Sequence, residues 1–361
     1  MNMPQFHIVH SEASTGWGGQ EHRTITELVG MRRLGHRVTL LAASESTIRK
    51  RAVELGFDVV CVNFKRSLML TELIKVTLWL LKNKVDIVNT HSSRDGWLVG
   101  LAARICRVRL LIRTRHIDVD YPYPWVSRFV YTILADHILT TSDKITRHLS
   151  QLFKLGSGQI TTMPTGIDLE KFCPTGPRAY FGGETTIGMV SVLRSWKGHD
   201  VFFKAIAALR DRGFAGRFVV VGGGQSSEFL KKQIEVLKIT NSVELQAHRE
   251  DVPEVLRGLS LLVIPSTRHE GIPQIGLQAL ACGTPVVGSD VGGIPEIIID
   301  GVTGRVFSNR DHAQLADAIE GALRDDVVTR AMVENGLSLV RKEYSIDELM
   351  KKLSSLYLRY F

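Results

Sequence analysis

One stretch of the chain holds the residues best suited to chemistry: RHEGIPQIGLQALACGTPVVG, from Arg268 to Gly288. Glu270 follows the apolar run SLLVIPS and precedes a Gly-Ile-Pro turn and a helical pattern. Pro273 suits the first turn of a helix, where its missing N–H costs nothing. The amides that follow, from Gln274 and Ile275 onward, favour an anion through the helix dipole. Because Glu270 can also accept hydrogen bonds from neutral hydroxyls, the segment predicts a site for a phosphorylated sugar.

Two cations form a second candidate site. Arg194 and Lys197 lie in VLRSWKGHD, directly after a predicted strand. Arg can hold two phosphate oxygens through its planar guanidinium, and Lys acts as a point charge. Such cations suit a diphosphate leaving group, whose negative charge grows in the transition state. The alternative is a solvated basic turn, and the pair by itself does not decide between them.

A glycine-rich loop, STGWGGQEHRT from Ser14 to Thr24, follows the first predicted strand and opens a helix. Gly16, Gly18 and Gly19 would allow a sharp turn and a close approach of the backbone to a ligand. The alternative is a tight turn without a ligand. In VVVGGGQSSEF, residues 219–229, the glycines are predicted only to shape a turn.

Two histidines, His91 and His116, follow predicted strands of the first half of the chain. A lone histidine is more often structural, but both lie on the side where open α/β sheets bind ligands. His116 is the better candidate because Arg113 and Arg115 make its surroundings basic.

The composition bounds the class of protein. The chain has 361 residues, of which 44% are hydrophobic, and a net charge of +8. The length suggests two domains, and the charge favours an anionic partner such as a nucleotide, a phosphorylated sugar or an anionic lipid. The four cysteines are widely spaced, which argues against disulfides or a zinc site and fits a reducing cytoplasm. We find no signal peptide, and the longest apolar stretch, LIKVTLWLLKNK, is too short to span a bilayer.

Elements that could position these residues alternate along the chain. Short Val/Ile/Leu-rich runs, seven in the first half and five in the second, are separated by helical patterns. This order predicts two doubly wound α/β units with buried parallel sheets, facing each other across a cleft. We place the first domain at residues 1–172, a Pro/Gly-rich linker at 173–185 and the second domain at 186–344. Residues 345–361 form a final helix that is expected to pack back toward the first domain.

At this level of detail the sequence resembles glycosyltransferase family 4, which has the two-domain GT-B fold. The resemblance covers nearly the whole chain, in order. It rests on GWGGQEHRTITELVGMRRLGHRVTLL, MPTGIDLEKFCP, SVLRSWKGHDVFFKAI and STRHEGIPQIGLQALACGTPVVGSDVGGIPEIIIDGVTGRVF. The last match is the longest and the most specific.

The family resemblance implies transfer of a sugar from a nucleotide donor, with retention of anomeric configuration and without an essential metal or cofactor. Glu270 matches the acid that contacts donor sugar hydroxyls, and Lys197 matches the diphosphate-binding lysine. His116 is similar in placement to a histidine that lines the donor sugar. The matching donor-binding backbone comprises Gly18, Gly19, Gly271, Ile272, Pro273 and Gln274.

Two positions depart from the family pattern. An Arg is common five residues before the Lys, where this chain has Val192, so we expect Arg194 to take over. The second acid of the family's pair, which grips the nucleotide ribose, is Gln278 here. Gln keeps a carbonyl acceptor but loses the charge, which predicts weaker ribose binding without loss of chemistry.

The expected acceptor is a glycan or lipid-linked glycan of bacterial lipopolysaccharide or another cell-surface polysaccharide. Basic segments at Ile48–Arg51 and Arg104–His116 suit an anionic lipid-linked acceptor at the cytoplasmic membrane face. Two alternatives stay open, namely a nucleotide-sugar epimerase of the same fold and a non-catalytic nucleotide- or glycan-binding subunit. A dinucleotide dehydrogenase is disfavoured because neither glycine loop completes the fingerprint, and nucleic-acid binding would depend on charge alone.

Overall fold

The computed structural model describes residues 4–119, 121, 123–182, 185–224 and 227–361. Parts of three segments discussed above lie outside this range: the N-terminus at residues 1–3, the predicted linker at 183–184 and residues 225–226 of VVVGGGQSSEF. The described chain divides into two compact units. Unit 1 contains residues up to Gly166 together with Ile346–Phe361, and unit 2 is Ile167–Ser345.

Unit 1 is built on a parallel sheet of seven strands in the order β3-β2-β1-β4-β5-β6-β7. The strands are β1 (His7–Glu12), β2 (Arg37–Ala42), β3 (Asp58–Cys61), β4 (Ile87–Thr90), β5 (Leu110–Arg115), β6 (His137–Thr140) and β7 (Ile160–Thr162). Each was predicted from its apolar run.

Helices cover both faces of this sheet. They are α1 (Gly19–Arg33), α2 (Thr47–Glu54), α3 (Met69–Asn83), α4 (Ser93–Ile105), α5 (Pro124–Phe129), α6 (Asp143–Phe153) and, at the end of the chain, α14 (Ile346–Leu358). Neighbouring residues of β1 point to opposite faces, so that Ile8 joins the core beneath α1 and α14 while Val9 joins the core beneath α3 and α4. A strand buried on both faces is mostly apolar, which explains the apolar runs.

Unit 2 repeats the plan with a six-stranded parallel sheet in the order β10-β9-β8-β11-β12-β13. Its strands are β8 (Thr186–Val190), β9 (Arg217–Val221), β10 (Val243–Gln246), β11 (Leu261–Ile264), β12 (Val286–Ser289) and β13 (Arg305–Phe307). Its helices are α7 (His199–Asp211), α8 (Ser227–Val236), α9 (Val252–Gly258), α10 (Gln274–Cys282), α11 (Ile294–Ile297), α12 (His312–Arg324) and α13 (Asp326–Glu343).

The fold class predicted from the sequence, two doubly wound α/β units with parallel sheets, is confirmed. Strand β13 was not predicted from the sequence. The final helix α14 lies within unit 1, where Leu353 and Tyr357 pack with Leu28 of α1 in a buried core. None of the described helices is long and apolar enough to cross a bilayer.

Candidate functional site

Two neighbouring strands of unit 2 bring Lys197 and Glu270 together. Strands β8 and β11 pair in parallel, so the loops that follow them leave the sheet at the same edge. Lys197 Nζ donates to Glu270 Oε1 at 2.5 Å, and Ser266 Oγ donates to the same oxygen at 2.6 Å. The Glu270 side chain is 7% exposed and that of Lys197 is 24% exposed. The two residues predicted for diphosphate and sugar thus form one partly buried ion pair.

The loop that carries Lys197 is held against the loop that carries Glu270. The amide of Thr267 donates to the carbonyl of Trp196 at 2.8 Å, and the Trp196 ring packs edge-on against His269. Gly198 follows Lys197 with a φ of +79°, and a Cβ there would lie 1.8 Å from the carbonyl oxygen of Pro265. Only glycine combines this left-handed backbone with so close a contact. The position of Lys197 therefore depends on Gly198.

Arg194 lies near this pair but is not bonded to it. Its exposed guanidinium sits over the Trp196 ring at 5.1 Å. A stacked guanidinium keeps its N–H edge available for a bidentate contact with an oxyanion. The expectation that Arg194 shares the diphosphate stays a prediction.

Helix α10 begins directly after the Glu270 turn. Pro273 immediately precedes the helix instead of lying within its first turn, and the amides of Gly276 and Leu277 donate to its carbonyl. The first amides of the helix, those of Gln274 and Ile275, have no intrahelical acceptor. Gln278 lies one turn beyond Gln274, and both side chains are partly exposed on the same face.

The backbone between Glu270 and α10 is also fixed. Gly271 is buried, and its carbonyl accepts from the amide of Gly293 at 3.2 Å. Ile272 packs against the core of unit 2. The predicted donor loop is therefore held by a backbone hydrogen bond and by packing against the core. Lys197, Glu270 and the start of α10 lie together at one edge of the sheet.

In unit 1, three histidines form a chain across adjacent strands. His10 Nδ1 lies 2.9 Å from His91 Nε2, and His91 Nδ1 lies 3.0 Å from His116 Nε2. All three side chains are buried, and His116 is the most exposed at 8%. Burial lowers the pKa of His10, and it lowers the pKa of His91 and of His116 well below the usual value. The three rings are therefore neutral at physiological pH.

The inner end of this histidine chain meets a buried ion pair. Glu27 Oε2 lies 3.8 Å from His10 Nδ1 and accepts from the Asn89 amide at 3.3 Å, while Arg23 Nε donates to Glu27 Oε1. His10, Glu27 and His91 are close enough to hold a metal ion. However, Arg23 already balances the charge of Glu27, and a divalent cation would leave two buried positive charges uncompensated. Hydrogen bonding between the rings explains the geometry without an ion.

The glycine loop differs from the expectation in one respect. Helix α1 begins at Gly19, and Gly18 has an extended backbone with a φ of −167°. A Cβ at Gly16 or at Gly18 would meet only one side-chain oxygen, at 3.6 Å. Neither Gly16 nor Gly18 therefore has the left-handed backbone or the close contact that would require glycine, and their approach to a ligand stays a prediction.

The sequence did not predict a role for Glu12, a buried carboxyl at the end of β1. Glu12 accepts from the Ser14 amide at 2.8 Å and from the Gln20 side chain at 2.5 Å. Burial, with the nearby Asp95 carboxyl, raises the pKa of Glu12 to about 8. Burial likewise raises the pKa of Asp95, which caps α4.

The other residues missed were Ser266, His10 and Glu27. A polar residue inside an apolar strand, as His10 is within FHIVH, was the available signal for one of them. Ser266 and Glu27 carry no such signal, because serines near turns and glutamates in helices are common.

Two family models match the chain. The model described as "Glycosyltransferase Family 4" matches residues 17–171, and that described as "Glycosyl transferases group 1" matches residues 178–338. Together they span most of the sequence, one in each half. The chain belongs to the family 4 glycosyltransferases.

Relatives of this glycosyltransferase agree with that assignment. D-inositol 3-phosphate glycosyltransferase of Mycobacterium tuberculosis is 27% identical over 265 residues, 66% of this chain and 54% of that protein. The chain thus spans about half the length of the curated relatives it matches. A glycosyltransferase structure from Rickettsia africae has a TM-score of 0.87 at 20% identity, covering 99% of this chain and 98% of the other. Anabaena HepE in complex with UDP-glucose has a TM-score of 0.85 at 18% identity, covering 98% and 100%. The shared fold is GT-B.

Proposed function

We propose that this glycosyltransferase moves a sugar from a nucleoside diphosphate donor to a glycan or lipid-linked glycan, with retention of anomeric configuration. The observation that carries the proposal is the Lys197–Glu270 ion pair at 2.5 Å beside the start of α10. A cation, a hydroxyl acceptor and free helix amides are the groups that a sugar diphosphate needs.

The ion pair can divide its work between the two parts of the donor. The Lys197 ammonium has three N–H groups, and the bond to Glu270 uses one, so the others can reach phosphate oxygens. Glu270 Oε1 already accepts from Lys197 and Ser266. We assign Oε2 of the same carboxylate to the sugar hydroxyls.

The reaction we propose takes place on one face of the sugar. The bond between the anomeric carbon and the β-phosphate oxygen breaks, and the acceptor oxygen bonds to that carbon from the same side. A phosphate oxygen takes the proton of the acceptor hydroxyl. Lys197, Arg194 and the amides of Gln274 and Ile275 stabilise the charge on the departing diphosphate. These groups supply positive charge from the chain itself, so we propose that no metal or other cofactor is needed.

The remaining predicted residues complete the donor site. Gln278 lies on the same face of α10 as Gln274 and would bond the ribose through a neutral amide. His116, neutral because of its burial, would contact the donor sugar. Gly18 and Gly19 would let the backbone approach the donor phosphate and the acceptor.

We further propose that the acceptor is anionic and belongs to lipopolysaccharide or another cell-surface glycan, made at the inner face of the cytoplasmic membrane. The net charge of +8 supports an anionic partner, and the mycobacterial relative is named for an inositol phosphate acceptor. The basic segment Arg104–His116 supports this less than its sequence suggests, because Arg113 is buried and Arg104 pairs with Asp136 at 2.7 Å.

A thermal-shift screen of nucleoside diphosphates and their sugars tests the donor first, with UDP and UDP-glucose as the initial probes. Binding should raise the melting temperature, followed by release of nucleoside diphosphate when a glycan acceptor is added. Conversion of the donor in the absence of acceptor would instead indicate an epimerase. Donor binding without transfer across an acceptor panel would indicate a binding subunit.

A further inference from the structure

Helix α3 and the turn before it expose an apolar stripe. Leu70, Ile74, Leu78 and Leu81 are exposed by 73%, 55%, 62% and 55%. Their spacing of three to four residues aligns them along one side of the helix, while Val76 and Leu80 on the opposite side are buried in the core of unit 1. Single exposed leucines are ordinary, but a continuous stripe of them marks an interaction surface.

Cations surround this stripe. Lys65 and Arg66 precede the helix, Lys75 lies within it, and Lys82 and Lys84 lie at its end; all five are exposed. The acid of the helix, Glu72, is buried and accepts from Lys75 Nζ at 2.9 Å. Within residues 65–84, all of which the structure describes, no carboxylate side chain is exposed. We call this combination of stripe and cations the α3 surface.

The neighbouring helix extends the same surface. Cys106, which follows α4, donates from Sγ to the carbonyl of Thr77 at 3.3 Å, so the end of α4 lies beside the second half of α3. Ile105, 60% exposed, and the exposed Arg107 lie there. They add one more apolar side chain and one more cation.

We propose that the α3 surface docks on an anionic lipid bilayer, with the helix in the plane of the interface. An interfacial helix buries its apolar side among the acyl chains, and long basic side chains reach up to anionic headgroups. The cations at both ends of α3 fit this orientation. A second copy of the chain fits less well, because a two-fold contact would place these cations against one another. The inference deepens the membrane location proposed above and names the surface responsible.

Co-sedimentation of the whole protein with lipid vesicles tests the proposal. The vesicles contain phosphatidylcholine alone or phosphatidylcholine mixed with phosphatidylglycerol. The wild-type protein should sediment with the anionic vesicles, and added salt should weaken binding. The variant Ile74→Ser/Leu78→Ser should bind about tenfold more weakly or worse, because it removes buried methylenes. Lys82→Gln/Lys84→Gln should bind more weakly at low salt and lose much of the salt dependence.

A matched control changes two exposed apolar residues of unit 2. Phe229 and Val236 on α8 are 63% and 80% exposed, and Phe229→Ser/Val236→Ser should bind vesicles as the wild type does. Equal binding by the α3 variant and this control would overturn the proposal, as would absence of binding by the wild type. If the wild-type protein forms an oligomer and does not bind vesicles, and the α3 variant is monomeric, the surface would be assigned to a second copy of the chain. Sedimentation needs neither donor nor acceptor, so its outcome is independent of the transferase proposal.

The histidine chain carries a second, independent inference: we infer that Glu27 sets the tautomer of His116 through His10 and His91. With three neutral rings, the two ring–ring hydrogen bonds can run in only two directions. In one direction His10 Nδ1 donates to His91 and His91 Nδ1 donates to His116, which leaves the His116 proton on Nδ1. In the other, every proton moves to the opposite nitrogen.

Two features favour the first direction. The Glu27 carboxylate, 3.8 Å from His10 Nδ1, attracts an N–H there and repels a lone pair. His10 Nε2 is buried without a partner, and an orphaned acceptor is tolerated better than an orphaned N–H. Glu27, His10 and His91 are therefore positioning residues that present His116 as an Nδ1–H donor. This matters for catalysis only if His116 contacts the donor as proposed.

The tautomer can be measured without any turnover. Long-range nitrogen–proton NMR of the labelled protein should show His116 protonated at Nδ1. The variant Glu27→Gln, which keeps the side-chain shape, should yield a mixture of the two tautomers while retaining the fold. Protonation of wild-type His116 at Nε2 would overturn the inference, as would an unchanged tautomer in Glu27→Gln. If wild-type His116 is protonated at Nδ1 but the His116→Ala variant transfers sugar normally, the inference about the tautomer stands. In that case His116 has no role in the proposed function.

Discussion

Replacing Lys197 and Glu270 one at a time should separate binding of the diphosphate from binding of the sugar. Lys197→Ala removes a cation from the diphosphate, whereas Glu270→Gln keeps a neutral acceptor and releases Lys197 from its ion pair. Lys197→Ala should therefore weaken UDP and UDP-glucose alike. Glu270→Gln should leave UDP binding unchanged or stronger and weaken only the added contribution of the sugar.

The magnitudes follow from the geometry. A hydrogen bond to a charged group contributes about 1.5–3 kcal/mol, so Lys197→Ala should raise the Kd for UDP by roughly 10- to 150-fold. It should also reduce kcat by about 10²–10³-fold, the usual cost of losing one donor to a developing charge. The Glu270 carboxylate, 7% exposed, keeps Ser266 as a donor in this variant. We therefore expect a loss of about 1–3 kcal/mol in the free energy of unfolding rather than a failure to fold.

Isothermal titration calorimetry with UDP and with UDP-glucose measures both effects, and circular dichroism checks the fold. Lys231→Ala is the matched control, because it removes a cation of unit 2 from an exposed ion pair with Glu228. Should Lys197→Ala bind UDP like the wild type, the assignment of Lys197 to the diphosphate is wrong. Equal weakening of UDP and UDP-glucose in Glu270→Gln would refute the assignment of Glu270 to the sugar.

Three further predictions concern Gln278, Glu12 and Gly198. Gln278→Glu should tighten UDP binding by about fivefold, since a charge-assisted bond to the ribose is roughly twice as strong as a neutral one, and calorimetry should show it; activity that appears only in this variant would contradict an active wild-type site. The wild-type protein should lose stability as the pH rises from about 4.5 to 8, because the raised pKa of Glu12 makes the folded state hold a proton that the unfolded state loses. The variant Glu12→Gln should not show this loss. Urea unfolding should show the variant more stable than the wild type by about 2 kcal/mol or more at pH 8 and nearly equal at pH 5, with a residual slope from Asp95; parallel curves would contradict the buried-carboxyl explanation. Gly198→Ala should cost more than about 3 kcal/mol, because it adds a backbone clash to a left-handed φ, and a thermal melt near that of the wild type would show that the loop is free to move.

The sequence predicted the architecture because doubly wound folds leave a strong pattern. Strands buried on both faces are mostly apolar, and helices between them show a clear period. The order of elements then determines which loops share an edge of the sheet. Glu270 and Lys197 were predicted as separate candidates and were joined in one donor site only by the family resemblance, whereas the structure shows their direct contact.

The sequence pattern could not predict residues whose role depends on contacts between distant parts of the chain. Ser266 and Glu27 look ordinary in sequence, and only three-dimensional proximity shows what each bonds. His116 was singled out from its basic neighbours, and Arg113 and Arg115 do contribute to its lowered pKa, but the sequence did not show that its ring bonds to His91. For Gly18 the sequence suggested both a sharp turn and close approach of a ligand, and the extended backbone does not support the first of these reasons.

The placement of α14 in unit 1 has a consequence for synthesis of the protein. Unit 1 is discontinuous in sequence, since its last helix follows the whole of unit 2. During synthesis on the ribosome, the apolar face of unit 1 that contains Leu28 stays exposed until unit 2 has been translated, because α14, which covers it, is made last. Tyr357, which is buried close enough to the Arg23–Glu27 pair to feel both charges, is then added to the surroundings of the histidine chain. Unit 2 can fold as its residues emerge, whereas unit 1 matures last although it is translated first.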